Sequence, residues 1–481
     1  MIPAAGDYLR ILPELTLTLF GIMVMLIEPL LPARNSRQAL GWLAFLGALA
    51  AAAASFEMAR YPGLAFSGMV RVDGFSVFFH VVITLIAAVV ILGSFDYLRV
   101  QRIRLGEYYA LILLGAAGMT LMSSAVELVL VFIALEISSI STYILAGFRR
   151  HAAISTESSL KYFLLGSFAT AFFLFGVALM FGATGSTKIY EIGAALHSAP
   201  PPLLAFAAVA LMIVGLGFKV AAAPFHVWTP DVYEGAPAPV VALMSTAPKA
   251  AAFAVLLRIL FAAAGTIPVW FWLIWALAVL SMSIGNLGAL VQTNIKRMLA
   301  YSSIAHAGYL LAAFAAAPVV GISAAMFYAA SYAAMNVGAF LVISHFARQE
   351  ERYVNLDDYA GLGRQAPALA VVLTIFLLSL IGIPVTGGFF AKFYVFRAAL
   401  GSNLIWLTII GVLNSAIAAY YYLRIIIVMY MRETAHDAPR IRIPAPLGFS
   451  LAVSLIFTVY LGVVPGRVLN YTLQSAQQML K

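Results

Sequence analysis

The stretch FKVAAAPFHVWTPDVYEGAP occupies residues 218–237 and interrupts an otherwise apolar run. It places Lys219 five residues before Pro224, and His226 follows two residues later. Proline removes a backbone donor and breaks a helix. An ionisable side chain inside a membrane is costly and marks a functional position by default. The stretch therefore predicts a discontinuous membrane helix that carries a functional lysine.

The composition of the whole chain agrees with a membrane protein. Hydrophobic residues make up 63% of the 481 residues and charged residues 10%, whereas a soluble domain has about 25% charged residues. Lipid requires helices of about 20 apolar residues, so we predict a single all-α polytopic unit of about fourteen spans. The predicted spans are 8–31, 38–58, 72–96, 107–123, 125–147, 157–181, 203–228, 237–262, 267–291, 298–317, 319–346, 366–399, 402–430 and 444–464.

Basic residues in the loops orient these spans. The loops after the odd-numbered spans hold fifteen Lys and Arg residues, and the opposite side holds six. Because basic loops stay in the cytoplasm, we expect both termini on the outer side of the membrane. The first run has the length of a span and carries Glu14, so we expect it not to be a cleavable signal peptide.

A second broken span indicates an internal repeat. Residues 366–399 would form a helix of about 51 Å, too long for a hydrocarbon core of about 30 Å, and they contain Pro384. Paired broken helices indicate a repeat and an ion pathway, so we predict two inverted five-span repeats, spans 4–8 and 9–13, with spans 7 and 12 discontinuous. The predicted parts are three N-terminal helices (1–104), the first repeat (107–262), the second repeat (267–430), and a last helix with its tail (431–481).

The residue types exclude several kinds of chemistry. The chain has no cysteine, so it has no thiolate ligands for iron–sulfur clusters and no disulfides. It has no glycine-rich nucleotide-binding motif, and its histidines lack metal-ligand spacing. The net charge of +9 comes with basic residues in short loops, as expected of a membrane protein, so we do not expect nucleic-acid binding.

Glu136 and Lys219 are candidates for a proton-binding pair. Glu136 lies near the middle of span five, and Lys219 lies beside the break of span seven. A nearby carboxylate favours the charged form of a lysine, and burial disfavours it. A pair that opens and closes would therefore bind and release a proton. The alternative is a static ion pair that holds two helices together.

Two further lysines lie beside prolines in apolar spans. Lys249 follows Pro248 directly, and Lys392 lies eight residues after Pro384. Both are candidate proton carriers. Lys249 could instead face a water pocket without a role in transfer, and Lys392 could extend its amine to the membrane surface.

Three more residues could connect these sites. His226 and His306 titrate near neutral pH and could relay protons, although a lone histidine in an apolar helix is more often a packing residue. Lys161 is spaced i, i+4 from Glu157, and a surface ion pair explains that spacing equally well.

Residues 218–237, together with Ala247-Pro248-Lys249, resemble the proton-conducting antiporter family. That family includes three large membrane-arm subunits of respiratory complex I and subunits of Mrp sodium/proton antiporters. The resemblance covers essentially the whole chain. Among the complex I subunits, this chain is most similar to the one that lacks a long C-terminal lateral helix and has a lysine, here Lys392, in span twelve.

The resemblance implies a role for each candidate residue. Glu136 and Lys219 would form an ion-pair module, with Lys249 as the central relay. Lys392 would be the site that faces the opposite exit. The residues on connecting polar positions would be His226, His306 and Lys161.

The resemblance also implies a proton-translocating subunit of NADH-quinone oxidoreductase in a bacterial inner membrane. Quinone reduction in partner subunits would drive it, so we expect no cofactor in this chain, and FMN, iron–sulfur clusters and quinone in the partners. The expected partners are other complex I membrane subunits, including antiporter-like neighbours, and the lipid bilayer; protons and internal water would be transported. The alternatives are an Mrp-type antiporter or membrane-bound hydrogenase subunit, and a structural scaffold.

Overall fold

The computed structural model describes residues 5–32, 37–103, 105–198, 202–263, 269–433 and 442–481, and most of these residues are helical. The α-helices are α1 Ala5–Leu9, α2 Leu12–Ile27, α3 Gln38–Met58, α4 Gly74–Val100, α5 Glu107–Ser124, α6 Leu128–Ala146, α7 Ala153–Thr184, α8 Ile189–Ser198, α9 Leu203–Val220, α10 Thr229–Gly235, α11 Ala238–Met244, α12 Ala247–Arg258, α13 Val269–Leu290, α14 Ile295–Phe314, α15 Pro318–Ala347, α16 Leu362–Gln365, α17 Pro367–Ile381, α18 Gly387–Gly401, α19 Ile405–Met431, α20 Ala445–Val463 and α21 Gly466–Leu480.

The chain is a multi-pass membrane protein. Within the described residues, eleven helical segments are long and apolar enough to cross a membrane. The sequence predicted fourteen spans, and this criterion of length and hydropathy finds fewer. The predicted spans 107–123 and 298–317 correspond to α5 and α14, which carry more polar residues, and 366–399 is divided between α17 and α18.

The two predicted discontinuities are present. Helix α9 ends at Val220, where Ala221 adopts a left-handed conformation, and α10 begins at Thr229. Helix α17 ends at Ile381, where Gly382 has a φ of 95°, a conformation that glycine adopts without steric cost. Each break leaves the last carbonyls of a helix free to accept hydrogen bonds from other groups. The two breaks agree with the predicted division into inverted repeats, which stays a prediction.

Lys249 and Pro248 lie at the start of a helix. Helix α11 ends at Met244, and α12 begins at Ala247 with Pro248 in its first turn. Proline fits that position because the first N–H groups of a helix have no intrahelical partner. The interruption therefore lies just before Pro248, and it places Lys249 at the N-terminal end of α12.

Helix α15 lies at the centre of the molecule. It packs against α4, α14, α17, α18, α20 and α21. In its most apolar stretch of 18 residues, 89% of the residues are buried. Small residues such as Gly338, which meets the ring of Phe376, allow this close approach. The central helix therefore contacts the N-terminal helices on one side and the second half of the chain on the other.

Elements outside the apolar runs were not predicted from the sequence. Strand β1, Gly63–Ala65, pairs antiparallel with β2, Val70–Val72, and Arg71 donates a hydrogen bond from Nη2 to the carbonyl oxygen of Gln478 in α21 at 2.9 Å. Helix α21 escaped prediction because many of its residues are polar. The hairpin and α21 therefore form one polar layer at an end of the helix bundle.

Candidate functional site

Lys219 is buried at the end of α9. Its Nζ donates a hydrogen bond to Ser139 Oγ at 2.9 Å, and this hydroxyl in turn donates to the carbonyl oxygen of Leu135. The same Nζ lies 5.8 Å from the ring centres of Tyr143 and Tyr162. The amine thus has one hydroxyl acceptor and two aromatic faces around it, and the break at Ala221 begins two residues later.

The expected ion pair between Glu136 and Lys219 is not formed in this structure. No salt bridge joins them in the described part of the chain, because the Lys219 amine lies on Ser139 instead. Glu136 is half-buried one helical turn before Ser139, and its Oε1 is buried without a hydrogen-bond partner among the described residues. Residues three apart share a helix face. Glu136 therefore lies one helical turn from the serine that accepts the hydrogen bond of Lys219, and we call this arrangement open.

Lys249 is bound by a serine of α14. Its Nζ donates to Ser303 Oγ at 2.6 Å and approaches the Ser303 carbonyl oxygen at 3.4 Å. Tyr332 of α15 donates to the same hydroxyl at 2.8 Å. A cavity of about 10 Å³ lies between Lys249 and His306, which is the space of about one water molecule. Ser303 therefore joins three helices around the central lysine.

His306 has a phenol on each ring nitrogen. Nδ1 lies 2.6 Å from Tyr328 Oη, and Nε2 lies 3.3 Å from Tyr422 Oη. Tyr422 is also hydrogen-bonded to Ser302. An imidazole with a hydroxyl at both nitrogens can take up a proton on one side and release it on the other.

Lys392 is buried within the break of the second discontinuous span. Its Nζ donates to the carbonyl oxygens of Leu380 at 3.1 Å and Ile381 at 2.8 Å, and to Ser415 Oγ at 2.8 Å. Those carbonyls belong to the last turn of α17, which the break leaves open. Three acceptors match the three N–H bonds of an ammonium group. Lys392 therefore does not extend to the surface.

Aromatic rings fill the space between the lysines. The His306 and Tyr309 ring centres are 5.8 Å apart, and Lys392 Nζ lies 4.9 Å from the Tyr309 ring centre. On the other side, Lys249 Nζ lies 5.8 Å from the ring centre of Tyr233, and Trp228 connects Tyr233 with Tyr162 beside Lys219. The structure therefore brings Lys219, Lys249, His306 and Lys392 into one row.

Two predicted site residues lie outside this row. Lys161 is 43% exposed and pairs with Glu157 and Asp231, each at 2.8 Å, so the i, i+4 ion pair is present. Burial alone would raise the pKa of Asp231, but Lys161 and Arg297 together hold it below its usual value. His226 lies half-buried in the break between α9 and α10, and its Nδ1 has no hydrogen-bond partner among the described residues.

Glu351 is a buried carboxylate that sequence reasoning missed. Its Oε1 accepts from Tyr97 Oη at 2.8 Å and from the Ala238 N–H at 2.9 Å. Its Oε2 accepts from Lys296 Nζ at 2.6 Å and lies 3.0 Å from Arg149 Nη1. Burial alone would raise the pKa of Glu351, but these two cations hold it below its usual value. The glutamate thus joins the N-terminal helices and both predicted repeats.

A second buried cluster lies at the opposite ends of these helices. Arg258 is fully buried at the end of α12 and binds both Asp73 oxygens at 2.9 and 3.1 Å. His80 Nε2 lies 2.7 Å from Glu14 Oε1. Ser123 contacts both His80 and Arg258. Glu14 was the one sequence signal of this cluster, since an acidic residue is unusual in an apolar span.

Comparison with known proteins agrees with the resemblance. Residues 125–418 match the family described as NADH:quinone oxidoreductase/Mrp antiporter, TM. NADH-quinone oxidoreductase subunit N 2 of Koribacter versatilis is 65% identical, over 99% of this chain and 98% of that protein. NADH-quinone oxidoreductase subunit N 1 of Solibacter usitatus is 50% identical, over 98% of each.

Solved structures share the fold. A chain of respiratory complex I from Thermus thermophilus with bound aureothin is 36% identical with a TM-score of 0.82, over 95% of this chain and 98% of that one. A chain of the archaeal membrane-bound sulfane sulfur reductase is 25% identical with a TM-score of 0.87, over 99% and 98%. A chain of the Mrp complex from Dietzia is 22% identical with a TM-score of 0.83, over 97% and 98%, which is a likeness of fold alone.

Proposed function

This chain belongs to the NADH:quinone oxidoreductase/Mrp antiporter transmembrane family, and on that premise we propose that it is the N subunit of an NADH-quinone oxidoreductase and translocates protons. The relatives at 65% and 50% identity carry that name. The observation that carries the proposal is the buried row from Lys219 through Lys249 and His306 to Lys392. Basic groups in membrane-spanning helices are costly, and residues of this kind mark ion and proton pathways.

The first step is the exchange of Lys219 between two acceptors. When the amine closes on Glu136, the carboxylate stabilises the ammonium form. When it opens onto Ser139, as it lies here at 2.9 Å, one neutral hydroxyl replaces that carboxylate. The open arrangement therefore favours release of the proton toward Lys249.

The later steps follow the hydroxyl contacts of the second half. Lys249 receives the proton beside Ser303, and water in the small cavity passes it to His306. Lys392 then holds it on three oxygen acceptors until it leaves on the opposite side. The aromatic segment of Tyr162, Trp228 and Tyr233 offers faces rather than hydroxyl contacts to the lysines, so transfer from Lys219 to Lys249 requires entry of water.

Lys161 and His226 keep a connecting role in this proposal. Lys161 reaches Asp231 at the mouth of the break between α9 and α10. His226 lies inside that break, where the buried Nδ1 can meet a water molecule or a proton. These two residues would lead protons from the loop face toward Lys219.

Redox chemistry belongs to the partners in this proposal. We assign NADH, FMN, the iron–sulfur clusters and quinone to other subunits, since the chain has no cysteine to hold a cluster. Antiporter-like and other membrane subunits would cover its exposed apolar faces, such as that of α6 with Ile133 and Ile137 at 47% and 39% exposure.

We further propose a bacterial inner membrane with both termini on the periplasmic side. The basic loops support this orientation; among them, Arg34, Arg104 and Arg440 lie outside the described residues. Arg149 and Lys296, both from loops predicted to be cytoplasmic, contact the carboxylate of Glu351, and this supports a common face for those loops.

The test is Lys219→Ala and Glu136→Ala in the assembled complex, with the exposed Lys188→Ala as control. We expect both variants to assemble and to lose proton translocation, and the control to retain it. Full pumping by an assembled Lys219→Ala complex would remove the residue from the mechanism. A structural scaffold predicts the reverse, impaired assembly but normal pumping once the complex has formed.

An Mrp-type or hydrogenase-linked subunit is the second candidate. The description of the matching family supports it, because that description names Mrp antiporters beside NADH:quinone oxidoreductase. Purification of the native assembly decides between them, because flavin and iron–sulfur proteins with NADH-quinone activity accompany the first candidate and not an antiporter.

A further inference from the structure

A deep apolar groove lies between α4, α15, α20 and α21. It encloses about 490 Å³, and small residues on α15, among them Ala330, Ala333 and Ala334, leave this space open. Along α4 the groove runs from Val77 to Val89, about 18 Å at 1.5 Å per residue. Half of a hydrocarbon core of about 30 Å is about 15 Å, so the groove has the length of one lipid leaflet.

One end of the groove is cationic. Arg467 lines it at the start of α21, where the helix N-terminus also favours an anion. The Arg467 side chain has no ion pair or hydrogen bond within the part of the chain that the structure describes. The groove leads through Tyr471 into a second cavity of about 470 Å³, which Arg71 and Lys481 line.

The carboxylate at this end is already neutralised. Asp73 lines the second cavity, but it is bound by Arg258 at 2.9 Å and lies 3.5 Å from Arg71. Among the described residues that line the two cavities, Arg467, Arg71 and Lys481 are basic and Asp73 is acidic. This excess of positive charge favours an anionic group, since a phosphate accepts several charge-assisted hydrogen bonds.

We propose that this groove binds an anionic phospholipid from the leaflet on the side of α21. An acyl chain lies along α4 and α15, and the phosphate lies at Arg467, with Arg71 and Lys481 near the headgroup. Basic pockets beside membrane helices recognise lipid headgroups by this combination of charge and apolar depth. The site is independent of the proposed proton path, which lies on the other side of α15 at Tyr328 and Tyr332.

The test uses the intact complex in nanodiscs that contain phosphatidylglycerol. A phosphatidylglycerol with a photoreactive group in one acyl chain is activated, and labelled peptides are identified by mass spectrometry. We expect label on α4 and α15 in the groove. Arg467→Gln removes the cation, and Ala334→Phe fills the groove, so each lowers this label at least threefold. The control is Arg60→Gln, because Arg60 is an exposed arginine that pairs with Glu57 outside the groove, and it leaves the label unchanged.

Each other outcome overturns the proposal. If no label is found on the groove residues, the groove does not bind a lipid and the proposal fails. If Arg467→Gln is labelled as strongly as the wild-type complex, or if a phosphatidylcholine analogue labels the groove equally, the site does not select an anionic headgroup. Covalent attachment of a neighbouring subunit to the groove residues identifies a protein occupant instead. If Ala334→Phe fails to assemble, Arg467→Gln decides alone, since it changes a surface side chain.

Discussion

Ser139 is the acceptor on which the open arrangement of Lys219 depends. Hydrogen bonds to charged groups contribute about 1.5–3 kcal/mol, and the one from Lys219 Nζ to Ser139 Oγ is 2.9 Å long. Ser139→Ala removes it, so Lys219 shifts toward Glu136. Because 1.4 kcal/mol is a factor of ten, we expect the open arrangement to be depopulated about tenfold to a hundredfold, and proton translocation to slow by the same factor.

The assay is the initial rate of proton translocation by the complex in sealed vesicles, driven by NADH and quinone. Ser138→Ala is the matched control, since Ser138 is the neighbouring serine on α6 and its Oγ has no hydrogen-bond partner among the described residues. We expect Ser138→Ala to pump at the normal rate. The reasoning fails if the two variants pump equally, or if Ser139→Ala slows NADH oxidation by an artificial acceptor as much as it slows pumping.

Three further variants test other parts of the structure. Lys249→Met removes the central relay and should slow translocation about 100-fold or more, whereas Lys188→Met should not. Glu351→Gln leaves buried cations uncompensated and should cost about 3–5 kcal/mol, seen as a lower unfolding temperature in detergent. Because the pKa of Glu351 is held low, the wild-type protein should be more stable than Glu351→Gln by the full amount above about pH 4.3. This difference in stability should vanish as the pH falls through the lowered pKa, and a difference that persists in stronger acid would contradict the reasoning. Arg258→Met leaves Asp73 with Arg71 alone and should lower the unfolding temperature similarly, and an unchanged temperature would refute the importance of that pair.

The breaks and the lysines could be predicted from the sequence. Pro224 and Pro384 each lie in an apolar run, and backbone sterics alone determine that a helix breaks near proline. Lys219, Lys249 and Lys392 could be recognised because a cation in an apolar run has a high cost in lipid. These are local signals, so a single chain is sufficient to read them.

The partners of these lysines could not be predicted. Ser139, Ser303 and Ser415 are ordinary serines in apolar helices, and their selection depends on how distant helices pack. That Lys219 lies on Ser139 in this structure could not be predicted for the same reason, because a hydroxyl one turn from Glu136 on the same face competes with the carboxylate. Hydrogen bonds between side chains of distant helices depend on tertiary packing, so neither residue spacing nor composition predicts them.

Long-range charge clusters were missed for a related reason. Glu351 lies in a polar loop, where an acidic residue is unremarkable, and its burial follows from packing between α4, α11 and α14. Helix α21 was missed because the prediction of spans counts apolar residues, and an amphipathic helix has too few of them.

The position of Glu351 restricts how the subunit can move during its cycle. Transporters of related architecture expose a central site to each side in turn by rocking one half of the molecule against the other. Here one carboxylate holds Tyr97, Lys296 and Arg149 together, and rocking would have to separate them and leave charges buried without partners. The contacts of Glu351 therefore hold the two predicted repeats together at this end of the bundle. In the proposed mechanism, sidedness therefore comes from smaller events, namely the movement of Lys219 between Ser139 and Glu136 and the entry and loss of water in the aromatic segment.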